Sequence, residues 1–140
     1  MAENEPVTLH ADSPAPSGDP DVEAGRTVTP ADIERAAAAL APHLRHTPII
    51  EVPGSEIGVD ATIVFKLEFL QHSGSFKARG ATHFVATQPI AETGIVAASG
   101  GNHGAAVAWA ARHFGHPAHI FVPTTATPAK VGKLRQFGAH

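Results

Sequence analysis

The sequence contains no cysteine among its 140 residues, which excludes a disulfide framework and any thiolate metal site. Basic residues are not in excess, because 10 Lys and Arg stand against 13 Asp and Glu, and the net charge of -3 argues against a nucleic-acid-binding surface. No segment approaches the roughly 20 apolar residues that cross a bilayer, and residues 1–6 lack the basic start of a secretory signal. We therefore expect a cytoplasmic protein that binds neither nucleic acid nor membrane.

The chain divides into a polar tail and an ordered domain. Residues 1–27 are rich in Pro, Asp, Ser, Ala and Gly without hydrophobic periodicity, which predicts a disordered tail. Order is predicted to begin at Thr29, a good helix cap, followed by Pro30, which suits the first helical position. Apolar residues then recur at helical spacing as far as Leu44. Residues 28–140 are accordingly the predicted folded domain.

From residue 60 onwards, predicted strands alternate with predicted helices. Such alternation favours right-handed crossovers and an α/β fold with an open parallel sheet covered by helices on both faces. Residues 136–140 are typical of a helix end that leads into a further strand, so we expect a sheet that is incomplete at the C-terminus and a chain that is the N-terminal part of a longer protein. The predicted strands are 47–52, 62–67, 94–98 and 118–122, and the predicted later helices are 75–87, 102–114 and 127–137.

One lysine occupies an unusual position. Gly74 favours a tight turn and Ser75 is a good N-cap, which would put Lys77 in the first turn of a helix. The positive end of the helix dipole and partial burial would both favour the neutral amine there, the form that condenses with an aldehyde. The alternative is an ordinary solvated surface lysine, with Glu68 simply paired to a neighbouring cation.

A second loop carries a different kind of site. Residues 99–104 read Ser-Gly-Gly-Asn-His-Gly between a predicted strand and an Ala-rich predicted helix. Backbone N–H groups at such a helix start point towards an anion, and Gly100 and Gly101 permit close approach of a ligand. The alternative is a plain strand-to-helix turn with Asn102 as N-cap. The spacing matches neither the dinucleotide fingerprint nor the P-loop.

Together the two segments resemble the serine/threonine dehydratase group of the pyridoxal-phosphate enzymes of fold type II, which are tryptophan synthase β-like. The resemblance extends over residues 28–140, which would form the N-terminal part of the catalytic domain, including most of its small subdomain. The matching motifs are Lys66-x-Glu68 followed by Gly74-Ser75-Phe76-Lys77-x-Arg79-Gly80-Ala81, and Ser99-x-Gly101-Asn102-His103-Gly104.

The resemblance implies a role for each matched residue. Lys77 would hold pyridoxal 5′-phosphate as a Schiff-base lysine and later take the Cα proton of the substrate. Phe76 would pack against the cofactor ring, and Asn102 would hydrogen-bond its 3-hydroxyl group. The implied reaction is the α,β-elimination of threonine or serine to a 2-oxo acid and ammonia, by a homo-oligomer when full length. The residues implied for binding the carboxylate of the amino-acid substrate are Ser99, Gly101, Asn102 and His103.

Three alternatives remain open. In the racemases of this group a serine follows the position of Ser99 and acts as the acid on the opposite ring face, whereas Gly100 has no proton to give; this favours a dehydratase over an amino-acid racemase. A chain that ended at residue 140 would be a non-catalytic truncated fragment, because the family's glycine-rich phosphate loop and the residue that faces the pyridine nitrogen lie later. The third alternative is an unrelated α/β module that binds a small anion at Gly100 and Gly101.

The ten histidines do not indicate a metal site. His113, His116 and His119 recur every three residues, but Gly115 and Pro117 interrupt the helix between them. These histidines should therefore not share one face, and no acidic or thiolate partner lies near them in sequence. We expect no metal.

Overall fold

The structure is a computed structural model that describes residues 27–140. Nearly all of the predicted tail therefore lies outside the described residues. Every other predicted element exists, and one helix has the predicted bounds. The helices are α1 (Pro30–Leu40), α2 (Lys77–Thr87), α3 (Asn102–Phe114) and α4 (Pro128–Gln136), the strands are β1 (Ile49–Pro53), β2 (Thr62–Lys66), β3 (Ile95–Ala98) and β4 (Ala118–Phe121), and short 3-10 turns span Gly54–Ile57, Glu68–Leu70 and His72–Gly74.

The predicted parallel pairing is confirmed for β3 and β4. Ile95 lies opposite Ala118, and α3 forms the crossover between the two strands. After α4 the backbone returns to the free edge of β4, where Ala139 forms a parallel bridge with Ala118. The backbone N–H of His140 donates to the Ala118 carbonyl at 2.9 Å. The residues after α4 thus occupy the next strand position, as the sequence predicted.

The first two strands do not join this parallel sheet. β1 and β2 form a separate antiparallel pair, in which Ile49 lies opposite Lys66 and Pro53 lies opposite Thr62. The cause is the length of the connection, because the residues between them are fewer than the dozen or more that a parallel crossover needs. The parallel sheet predicted from the alternation of elements is therefore wrong for β2.

Helix α3 is the centre of the core. It contacts α2, α4, β3 and β4, and its alanines allow these elements to approach closely. Gly104 is the tightest point, because a Cβ there would overlap the Ser99 carbonyl oxygen and lie 3.0 Å from Ile120 Cγ2. The fully or nearly fully buried alanines of α3 are Ala105, Ala106, Ala108, Ala110 and Ala111.

The helix starts agree only partly with the sequence. Thr29 caps α1 in a capping box with Asp32, as its sequence favours. The predicted cap Ser75 is wrong: α2 begins at Lys77 after Phe76, and no side chain caps it. Likewise α3 begins at Asn102, so that Gly101 and not Asn102 occupies the N-cap position. Within residues 27–140 no helix is long and apolar enough to cross a membrane.

A stack of aromatic and imidazole rings joins the segment before α2 to α3. The rings of His72 and Trp109 lie parallel with centroids 4.3 Å apart, and His113 stacks on the other side of the sequence's single tryptophan at 5.0 Å. The His113 ring is within hydrogen-bonding distance of His43, with Nε2 and Nδ1 3.1 Å apart. His72 is therefore half-buried against α3.

We expect Gly104→Ala to destabilise the fold by about 1–3 kcal/mol, because the added methyl group must displace either backbone or the β4 side chain. The matched control is Gly132→Ala in α4, where an added Cβ meets nothing within 4 Å and should stabilise by roughly 0.5–1 kcal/mol. Urea unfolding of both variants measures the difference. Equal free energies of unfolding would contradict the close contact at Gly104.

The pH dependence of stability should contain a contribution from His72. Burial lowers the pKa of His72, and the charges of Arg45 and His113 act in the same direction. The unfolded chain then binds a proton more readily than the native state, so this contribution is present above the unfolded pKa near 6.5 and is lost as the pH falls through the folded pKa.

The measurement is urea unfolding of wild type and His72→Gln between pH 8 and pH 5. The variant should show a smaller loss of stability on acidification than wild type, whereas His46→Gln, at an exposed histidine, should follow wild type. A pH profile that is the same in wild type and His72→Gln would contradict the effect of burial.

Candidate active site

A cleft lies where the start of α2 faces β3 and the first turns of α3. Its volume of about 640 Å³ is in the range of small-molecule pockets. Its lining is mainly apolar and also includes Lys77 and His103. The lining residues are Phe76, Lys77, Arg79, Gly80, Ala81, Phe84, Val85, Ile95, Val96, Ala97, His103 and Val107.

Lys77 is the first residue of α2 and its side chain is exposed at this cleft. The partial burial expected for it from the sequence is therefore wrong. Its Nζ lies 5.2 Å from the centroid of the Phe76 ring, which is itself exposed. The amine is thus accessible to a ligand in the cleft, beside an aromatic face that attracts a cation.

The segment that leads to Lys77 is strained and contains unpaired polar atoms. Ser73 has a φ of 61°, a left-handed conformation that is uncommon for any residue except glycine, and Gly74 follows with a φ of 78°. The side chains of Ser73 and Ser75 are buried, and neither hydroxyl has a hydrogen-bond partner among the described residues. Strain and unpaired buried groups together are typical of functional segments.

The second predicted loop turns from β3 into α3 at the same end of the domain. The backbone N–H of Ser99 donates to the Phe121 carbonyl at 3.0 Å, and the Ser99 hydroxyl accepts from the Gly101 N–H at 3.3 Å. Gly101, Asn102 and His103 are exposed. The loop is thus held against β4 at its start, while its glycine and the first two residues of α3 face the solvent.

Some of the predicted site residues line the cleft, and the others lie in the adjacent turn. Phe76, Lys77 and His103 line the same cleft. Ser99, Gly101 and Asn102 belong to the turn that carries His103 but do not line the cleft themselves. In residues 27–140, no group of three or more side chains could hold a metal ion.

Glu68 forms a network that the sequence indicated only as an unspecified ion pair. Its carboxylate accepts two hydrogen bonds from Arg79, Nε to Oε2 at 2.8 Å and Nη2 to Oε1 at 2.7 Å. The Thr47 hydroxyl donates to Oε1 at 2.5 Å. The hydrogen bond from Arg79 lowers the pKa of Glu68 against the opposing effect of burial, and the same bond raises the pKa of Arg79.

Sequence reasoning missed Thr47, which is only 2% exposed. Its backbone carbonyl also accepts a hydrogen bond from Lys66 Nζ at 2.9 Å. Nothing local to Thr47 indicates that it meets residues 19 and 21 positions later, because the antiparallel pairing of β1 and β2 brings them together. The sequence indicated only that Glu68 pairs with a neighbouring cation.

Comparison with known proteins agrees with this geometry. The chain is 38% identical to the serine racemase of Oryza sativa subsp. indica over 110 residues, which cover 77% of this chain and 32% of that protein. It is also 38% identical to the catabolic L-threonine dehydratase of Staphylococcus aureus (strain USA300) over 121 residues, which cover 84% of this chain and 35% of that protein. The chain therefore spans about a third of the length of these relatives.

A solved structure gives the same result at the level of the fold. The threonine deaminase of T.th. superimposes with a TM-score of 0.70 at 32% identity, over 81% of this chain and 36% of that one. Residues 40–140, most of the described part of the chain, match the family described as pyridoxal-phosphate dependent enzyme. The chain belongs to the pyridoxal-phosphate dependent enzymes of fold type II.

Proposed function

We propose that Lys77 binds the cofactor and that the full-length protein catalyses the α,β-elimination of threonine or serine to a 2-oxo acid and ammonia. The observation that carries the proposal is the position of Lys77, whose exposed amine lines a cleft shared with His103 of the second motif. An accessible amine at the start of a helix is suited to condensation with an aldehyde.

The residues of the cleft fit pyridoxal 5′-phosphate. The cofactor presents a flat pyridine ring and an aldehyde, so it needs an apolar wall and an amine on one rim. Val85, Ile95 and Val107 supply such a wall, and Lys77 lies on the rim with the Phe76 ring beside it. We infer that Phe76 packs against the ring and that the Asn102 amide hydrogen-bonds its hydroxyl group.

When bound, the cofactor acts as an electron sink for the charge left on Cα after deprotonation. Lys77 would hold the cofactor, and its amine would accept the Cα proton of the substrate. The exposed start of α3 binds the substrate carboxylate through backbone N–H groups, supplemented by Ser99 and His103. These groups fix the Cα–H bond in the direction of Lys77.

Elimination is favoured over racemisation by one residue. Inversion at Cα requires a proton donor on the face opposite to Lys77, and Gly100 has no side chain to supply one. Racemisation is nevertheless a specific second candidate, because a relative named serine racemase and one named L-threonine dehydratase are each 38% identical to this chain.

We expect borohydride reduction to attach pyridoxal 5′-phosphate permanently to Lys77. Lys77→Ala should abolish both the trapped adduct in that peptide and turnover of threonine and serine, because no other amine lines the described cleft. Peptide mass spectrometry and a 2-oxo acid assay measure the two effects. The matched control is Lys130→Ala in α4, which should retain both. Undiminished turnover by Lys77→Ala would refute the proposal.

Gly100→Ser separates the two candidate reactions. An ideal Cβ at Gly100 lies 3.7 Å from Val122, an ordinary contact, so the serine side chain fits. Wild type should convert L-serine to the 2-oxo acid without forming D-serine, whereas the variant should form measurable D-serine. Gly100→Ala adds the Cβ without the hydroxyl and should behave as wild type. Chiral chromatography measures the products, and D-serine formation by wild type would favour racemisation.

A further inference from the structure

The ion pair between Glu68 and Arg79 joins the two ends of the segment that carries Lys77. These two residues are 11 positions apart and enclose the strained Ser73–Gly74 turn and Lys77. Both carboxylate oxygens and two guanidinium nitrogens take part, so the pair fixes an orientation as well as a distance. The side chains are 15% and 37% exposed, so the pair is partly protected from solvent.

The carboxylate itself is held from the other side. Thr47 is buried and its hydroxyl donates to Glu68 Oε1, while Lys66 Nζ lies 3.9 Å from the same oxygen and donates to the Thr47 carbonyl. Glu68 is therefore anchored to the β1–β2 unit. Arg79 is anchored to the first turn of α2, where its backbone N–H donates to the Phe76 carbonyl at 3.0 Å.

The first turn of α2 lacks the usual local anchor. No side chain caps this helix, and the hydroxyl of Ser75, two residues before Lys77, has no hydrogen-bond partner among the described residues. N-capping ordinarily fixes the direction in which a helix begins. The contact between Glu68 and Arg79 restrains the direction of this helix start in place of a cap. It does so through Glu68, a residue that lies outside the helix.

We infer that Glu68 is a positioning residue: acting through Arg79, it sets the orientation of the first turn of α2 and so aims the Lys77 amine at the cofactor aldehyde. This inference rests on the role proposed for Lys77. Arg79 and Lys77 both line the cleft and are separated by one residue, so a rotation of this turn about the helix axis moves both side chains together. A displacement of about 1 Å can change the rate of such a reaction by roughly a hundredfold.

The test uses a lysine outside the network as an internal reference for Lys77. In the assay the aldehyde carbon of pyridoxal 5′-phosphate bonds to a lysine nitrogen with loss of water, and hydride from borohydride reduces the resulting C=N bond. Peptide mass spectrometry then gives the initial rate at each lysine. The rate at Lys77 relative to Lys130 on α4 reports orientation, because Lys130 takes no part in the network of Glu68, Arg79, Thr47 and Lys66.

We expect Glu68→Gln and Arg79→Lys each to lower this relative rate by about tenfold or more, since neither variant retains the charged two-point contact. The rate at Lys130 and the far-ultraviolet circular dichroism should remain those of wild type. Glu51→Gln, which removes a carboxylate exposed on β1, is the matched control and should leave the relative rate unchanged.

The double variant Glu68→Gln/Arg79→Gln distinguishes positioning from a direct effect of Glu68. If Glu68 acts through Arg79, the double variant should be no slower at Lys77 than Arg79→Gln alone. Additive losses, an unchanged rate in a folded single variant, or loss of the fold in every variant would overturn the inference. Failure of wild type to label Lys77 in preference to Lys130 would instead refute the proposed role of Lys77.

Discussion

The contact of Gly104 with the Ser99 carbonyl is the constraint on which the arrangement depends. It lets the start of α3 lie against the end of β3 without an intervening side chain. From there the alanine face of α3 continues along β4 and beneath α2, so the helix that forms the core also presents its first residues at the cleft. Packing and site geometry are therefore consequences of the same close approach, and a larger residue at this position would disturb both.

Two helix starts meet at the cleft, and each supplies a different property. The start of α2 presents an amine, and the start of α3 presents exposed backbone and the His103 side chain. An amine and an exposed helix start at one mainly apolar cleft are the features that the proposed cofactor and substrate require. Each motif supplies only one of these features. For this reason neither motif alone indicated a function, whereas the two together did.

The parts of the fold that follow from local patterns could be predicted from the sequence. Helix α3 has its predicted bounds because an Ala-rich run is terminated by Gly115, whose φ of 80° ends the helix. The parallel pairing of β3 and β4 follows from the crossover between them. The antiparallel β1–β2 pair and the placement of Thr47 were not predicted, because they depend on contacts between residues distant in sequence. Ser75 does not cap α2, because the helix begins two residues later, and its buried hydroxyl has no hydrogen-bond partner among the described residues.

The ring stack has a practical consequence for observing the site. Trp109 is the single tryptophan of the sequence, and it lies between His72 and His113. His72 begins the turn that precedes Lys77, so any movement of that turn changes the surroundings of the one indole ring. A neighbouring imidazolium quenches indole emission, so the fluorescence of Trp109 follows both the protonation of His72 and the position of the turn. The protein therefore carries its own optical reporter beside the candidate active site.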